Sequence, residues 1–421
     1  MRLVRQASAL LLWAALSSSR GLFAQQTLPA AVLPHDLRVS LRPVDVRYAP
    51  PPSEPFLPVF SSREIKALYV NAWAFSSNKL WDLVRLADST EINAFVVDVK
   101  DDTGCLLYTS TVETAEAIGA NRCRRLREVR SRLDTLAAHG VYPIARIVVA
   151  KDPLLAEGKP RWSVQHRDGG LWRDRIGSAW VDAYNDSVWI YATRLAEEAV
   201  RLGFSEVQFD YVRFPDEPAE RLAHAIFPAR RAGETPRAAV RRQVRTMKAR
   251  LAPLGSPVTF DIFGLTASAT GDMGIGQVWE DFITVADVVL PMVYPSHYYP
   301  GAYGFRRPNA EPYRVVRQAL REAIARSSPV PGAAEIRPYL QAFTLGRRLP
   351  RYTPHEIREQ IRAAEELGIT SWVLWNPRSV YQRGSLRPPP PAYPPPARAS
   401  PPARAEAVTT REPAPSRAAT P

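Results

Sequence analysis

"EVQFDYVRFP", residues 206–215, has the apolar and aromatic content of a buried strand, yet Asp210 lies inside it. Arg213 follows closely and Pro215 ends the run. A bare carboxylate in a dry strand costs several kcal/mol unless it is paired or hydrogen-bonded. Two readings compete. Either Arg213 neutralises Asp210 within a structural strand, or the strand carries a reactive acid to a site.

Seven further runs resemble this one: 67–73, 93–100, 142–149, 258–264, 288–294, 337–343 and 371–377. Helix-like stretches separate them, such as 79–89, 188–203, 238–255 and 353–368. Gly140, Gly203, Gly255 and Gly368 stand just past the last apolar turn of such stretches, a helix-stop signal. Thr353, Pro354 and Glu356 spell a capping box. Eight strands alternating with helices is the count of a (β/α)8 TIM barrel, an α/β fold. The runs are nearly continuous in apolar character, as parallel strands buried on both faces require. A doubly wound open sheet is the alternative, but no Gly-rich phosphate turn supports it. Pro291 predicts a bulge or an early end in the sixth run.

The chain has 421 residues and is 46% hydrophobic, enough for a large core around residues 63–384. Its first 24 residues read as a secretory signal: Arg2 and Arg5, then an apolar run of about ten residues, too short to span a bilayer. An uncleaved anchor is the competing reading. Residues 25–62 are a proline-rich linker, and 385–421 hold twelve prolines and read as a disordered tail. The expected location is therefore secreted or periplasmic. In an exported chain Cys105 and Cys123, 18 positions apart, predict a loop-closing disulfide. The formal charge is +13, of which about half belongs to the signal and the tail. The mild remaining excess suits a solvated surface or association with the cell envelope, and no nucleic-acid motif accompanies it.

In such barrels, reacting groups sit at the C-terminal ends of strands. The polar residues late in the runs are Asp98, Lys100, Asp210, Arg213 and Asp261, with Tyr294 and His297 after strand six. Trp73 ends strand one, and Trp375 and Asn376 end strand eight. Side chains alternate along a strand, so Asp98, Asp210 and Asp261 converge if their faces point at the barrel axis. Asp210 and Asp261 then suit paired-carboxylate chemistry on a glycosidic bond. Asp98, Lys100, Arg213, Tyr294, His297, Trp73, Trp375 and Asn376 become candidates for holding substrate, the aromatics by stacking on sugar rings. Other chemistries fit worse. The six histidines are scattered with no HExxH, there is no G-x-S-x-G, and no cofactor or metal is expected.

"ALYVNAWAFSS", "INAFVVDVKDDTG", "EVQFDYVRFP", "TFDIFG" and "VVLPMVYPSHY" together resemble the putative glycosyl hydrolase domain family, across most of residues 64–378. The resemblance implies a (β/α)8 barrel distantly similar to the α-amylase superfamily. It implies, by position, a strand-four nucleophile at Asp210 and a strand-five proton donor at Asp261. The chain departs from that pattern in having Asp rather than Glu as donor, and Gln341 where strand seven carries an acid. The function expected is hydrolysis of a polysaccharide. The alternatives are a non-catalytic carbohydrate-binding envelope protein and another polysaccharide-modifying hydrolase, such as a deacetylase.

Overall fold

The computed structural model describes residues 64–123, 125–346 and 350–389. The expected signal, the whole linker, and the tail from residue 390 lie outside them.

Eight strands form the core: β1 (Lys66–Val70), β2 (Ala94–Lys100), β3 (Tyr142–Val148), β4 (Glu206–Asp210), β5 (Val258–Phe263), β6 (Val288–Met292), β7 (Tyr339–Gln341) and β8 (Trp372–Trp375). Each pairs in parallel with its sequence neighbour, and β8 returns to β1 through Lys66↔Trp372. The contact Tyr339↔Met292 joins β7 to β6 and closes the ring. The protein is a (β/α)8 barrel. β7 is short because its strand comes in two pieces. Glu335–Ile336 pairs with the start of β6, and Pro338, which has no N–H, separates this piece from β7. β6 continues one residue past Pro291 and ends there.

Period-two alternation divides the strand residues between two cores. Ala67, Tyr69, Ala94, Val96, Ile144, Leu290 and Val373 fill the barrel interior. Their neighbours Leu68, Phe95, Val97, Phe209, Phe260 and Trp372 face outward into a larger apolar layer beneath the helices. The longer helices are α1 (Lys79–Asp88), α2 (Arg130–Ala138), α3 (Asp186–Leu202), α4 (Pro236–Leu251), α5 (Pro312–Ser327) and α6 (Pro354–Glu365). α3 is capped by Asn185, whose side chain accepts from the Ser187 N–H at 3.0 Å. It stops at Gly203, where φ is +113°. The Thr353–Glu356 capping box opens α6. Low in the barrel, Glu206 and Arg337 form a buried ion pair at 2.8 Å.

Cys105 and Cys123 are disulfide-bonded, with Cα atoms 5.6 Å apart. The bond closes the loop after β2 and removes conformational freedom from the unfolded chain, an effect of about 3 kcal/mol for a loop of this length. Packing continues slightly beyond the expected boundary at 384. The Arg387 N–H donates to Glu91 Oε1 at 2.9 Å, and its guanidinium reaches Glu365 at 2.7 and 3.0 Å. Among the described residues, no helix is long and apolar enough to cross a membrane.

Candidate active site

Three acids and one base meet at the C-terminal end of the barrel. Asp98 is the inward residue late in β2, Arg146 in β3, Asp210 at the end of β4 and Asp261 in β5. The register places Arg146 directly between Asp98 on one side and Gln208 on the other. Its guanidinium donates Nη1 to Asp98 Oδ1 at 2.5 Å, and both Nε (3.2 Å) and Nη2 to Asp210 Oδ2. Nε also lies 3.7 Å from Asp261 Oδ2. Asp210 and Asp261 therefore each place an oxygen within 3.7 Å of the same guanidinium nitrogen.

Each acid has a different environment. Asp210 is the most open of the three, with 8% of its side chain exposed against 1% for Asp261. The Tyr211 N–H donates to Asp210 Oδ1 at 2.5 Å. Tyr211 adopts a left-handed backbone with φ +53°, which ends β4 and turns that N–H back onto the carboxylate. Asp261 accepts from Gln208 Nε2 at 3.0 Å, and Gln208 in turn donates to the Tyr339 hydroxyl at 2.6 Å. Oδ1 of Asp261 is buried without a protein partner. Burial first, then the charge of Asp210, pushes the Asp261 carboxyl well above the usual range. Asp98 is pushed up to about 6 by burial, against the opposing pull of Arg146 and of the Tyr69 hydroxyl that donates to Oδ2. Burial also works against the Arg146 charge, but Asp98 and Asp210 outweigh it.

Two aromatic walls flank the acids. On one side Trp375 stacks on Tyr294 at 5.0 Å and meets Phe343 edge-on at 5.0 Å. The His297 ring packs against Tyr294 at 5.1 Å, and burial lowers its pKa to about 4, so it is neutral at ordinary pH. Tyr69 links this wall to Asp98. On the other side, Arg213 lies over Phe263 (4.5 Å), Tyr211 (4.8 Å) and Trp180 (5.2 Å). Lys151 approaches Tyr211 from its own loop and pairs with Asp102 at 2.7 Å.

The convergence of Asp98, Asp210 and Asp261 follows the parity of their strands. The structure gives four other residues the following surroundings. Arg213 does not neutralise Asp210; Arg146 does, and Arg213 is held by aromatic rings. Lys100 does not share the face of Asp98. A bulge shifts the register between Asp98 and Lys100, and Lys100 turns outward to a buried ion pair with Asp152 at 2.7 Å. Asn376 is committed to structure: Nδ2 donates to Ala342 O at 2.7 Å and Oδ1 accepts from the Arg378 N–H at 2.9 Å. Trp73 is 67% exposed on the short helix after β1, with the Arg125 guanidinium 3.9 Å over its ring. Sequence reasoning missed Arg146, Tyr69, Gln208 and Tyr339. Arg146 had a signal: it is the charge inside the apolar run "YPIARIVV", the same anomaly that singles out Asp210.

The closed (β/α)8 barrel gathers these carboxylates at the C-terminal strand ends, the end at which this fold class carries its reacting groups. The chain belongs to the family described as "Putative glycosyl hydrolase domain", whose profile matches residues 67–381. No curated protein matches the chain significantly. Among solved structures, it is similar to a hypothetical protein from Ruminiclostridium thermocellum (35% identity, 46% of this chain and 96% of that one, TM-score 0.42). It is also similar to the glycoside hydrolase domain of PgaB (BpsB) from Bordetella bronchiseptica (15% identity, 75% and 94% coverage, TM-score 0.49). A third is the glycoside hydrolase domain of PelA from Pseudomonas aeruginosa (14% identity, 76% and 96% coverage, TM-score 0.44).

Proposed function

We propose that this protein is a glycoside hydrolase that cleaves a polysaccharide, with Asp210 as nucleophile or base and Asp261 as general acid. One observation carries the reading: carboxylates from β2, β4 and β5 converge on a single guanidinium between two aromatic walls. The pair divides the work by environment. Burial, and then the charge of Asp210, push the Asp261 carboxyl well above its usual range, the direction a proton donor needs. Asp210 is the more open acid and stands late in strand four, where α-amylase-like barrels carry their nucleophile. Asp98 orients Arg146 and Tyr69. Tyr294, Trp375 and His297 supply a face for sugar rings, and Arg213 edges the opposite wall.

Export to the periplasm or beyond belongs to the same reading, supported by the signal-like first 24 residues and by the Cys105–Cys123 bond. The test is a reducing-end assay on a panel of cell-envelope polysaccharides, with Asp210→Asn as control. Release of new ends by the parent and not by the folded variant supports the assignment. Saturable binding with no release by the parent would make the barrel a carbohydrate-binding module instead.

A further inference from the structure

The histidines are scattered in sequence, but the fold brings two of them together. The loop after β3 and the loop after β4 meet in a two-stranded antiparallel ribbon, Gln165–His166 against Ala225–Ile226. His166 pairs across to Ala225, which places it beside His224. The two imidazoles stack with centroids 5.2 Å apart and planes 7° from parallel. Asp168 completes the group, its Oδ2 lying 3.7 Å from His166 Nδ1. One ligand atom from each of the three residues falls within 4.8 Å of the other two.

The backbone fixes this arrangement. The Arg167 N–H donates to His224 O at 2.9 Å, and the His166 N–H to Gly170 O at 2.8 Å. The Asp168 N–H donates to His166 Nδ1 at 3.2 Å, a bond that uses the lone pair of that nitrogen and that an ion bound there would replace. A histidine ligand must be a neutral imidazole nitrogen with its lone pair free for the ion. His224 and Asp168 are exposed, and their side chains can close the remaining distance to bonds of about 2.0–2.2 Å.

We propose that His166, His224 and Asp168 bind one divalent transition-metal ion that staples the two loops together. Two imidazoles and a carboxylate suit Zn²⁺, Ni²⁺ or Cu²⁺, and not Mg²⁺ or Ca²⁺, which take oxygen ligands. The stapled loops are also walls of the candidate active site. The loop after β3 carries Trp180, whose ring meets Tyr211 at 5.7 Å immediately after Asp210. The site is independent of the hydrolytic reading, because neither histidine touches the acid cluster.

The experiment is calorimetric titration of the tag-free full chain with ZnCl2, alongside His166→Ala, His224→Ala and Asp168→Asn, with MgCl2 as control. The expected result is one saturable Zn²⁺ per parent chain and no response to Mg²⁺. Either histidine variant should bind at least about tenfold more weakly. Zn²⁺ should raise the melting temperature of the parent and not of the histidine variants, which should melt like the parent when metal is chelated. Absence of saturable Zn²⁺ uptake, or undiminished uptake by His224→Ala, would overturn the proposal.

Discussion

Arg146 gives two of its N–H groups to one oxygen of Asp210, and a third to Asp98. This guanidinium is the only cation within ion-pairing distance of the three barrel acids among the described residues. The two ends of the contact therefore have unequal weight. Asp210→Asn leaves Arg146 with Asp98 and relieves the repulsion felt by Asp261. It should cost no more than about 1–2 kcal/mol in urea melts, while turnover falls by more than the roughly 10²–10⁴-fold of a single acid–base group. Arg146→Gln leaves three buried carboxyls without a cation and should cost about 3–5 kcal/mol. Equal stability losses in the two variants would mean that the guanidinium does not hold the acids together.

Lys100 gives the opposite test, of a residue whose sequence position suggests substrate contact. Its Nζ lies 2.7 Å from Asp152, with 1% and 0% of the two side chains exposed. Asp152 also caps the helix Pro153–Gly158, accepting from the Leu155 N–H at 2.8 Å. Lys100→Met strands that carboxylate and should lower stability by about 3–5 kcal/mol. The folded fraction should keep the parent KM. A stable variant with a raised KM would return Lys100 to the substrate.

The contrast between Asp98 and Lys100 shows what was readable in advance. Strand count follows from eight nearly continuous apolar runs separated by helix-like stretches, and the shared faces of the acids from the two-residue alternation of side chains along a strand. That was enough to gather Asp98, Asp210 and Asp261 from three strands. A bulge breaks the period by one residue and leaves no mark in composition, so two-residue alternation alone would put Lys100 on the face of Asp98, which it does not share. Partners were harder to read than positions. Arg213 is Asp210's nearest cation in sequence, but the cation that binds it is 64 residues away on the adjacent strand. The pairing of His166 with His224 likewise arises only when two loops meet.

Removal of the chain end should separate packed residues from the proline-rich segment. Leu386 packs against the core, and Arg387 bonds to Glu91 and Glu365. A chain ending at 389 should melt with the full protein. One ending at 384 should lose about 1–3 kcal/mol, the value of a few partly buried contacts. Equal melting of both truncations would show that these contacts contribute nothing.

Stability should carry a pH signature from acids buried without enough compensation. Asp182 is fully buried and accepts only backbone N–H groups, from Tyr184 at 3.0 Å and Ala229 at 2.8 Å. Burial pushes its pKa up to about 7, and Asp98 is pushed up to about 6 in the same way. A carboxyl whose folded-state pKa lies above its unfolded value binds its proton more tightly when folded. Its contribution is complete below the unfolded value near 4 and is lost as pH rises through the folded one. Between about pH 4 and 7 these two groups should lower the unfolding free energy by a few kcal/mol. Asp182→Asn should flatten that slope, whatever its effect on absolute stability. A slope equal to the parent's would show that Asp182 does not titrate in this range.

The aromatic wall makes a prediction about binding rather than chemistry. Trp375 is half-buried, stacked on Tyr294 and close to Tyr69, whose hydroxyl holds Asp98. If the stack is a platform for a sugar ring, removing it weakens ground-state and transition-state binding alike, and KM rises with little change in kcat. Trp375→Ala should raise KM about tenfold, equivalent to about 1.4 kcal/mol. Trp375→Phe, which keeps an aromatic face, should recover most of the loss. Trp73 serves as control, because its exposed ring packs on the Arg125 guanidinium, so Trp73→Ala should leave KM within about twofold of the parent. A purely structural Trp375 predicts another pattern: a lower melting temperature and normal KM in the molecules that remain folded. Melting curves and Michaelis kinetics on the same preparations distinguish the two, and an unchanged KM in folded Trp375→Ala would remove this wall from the substrate site.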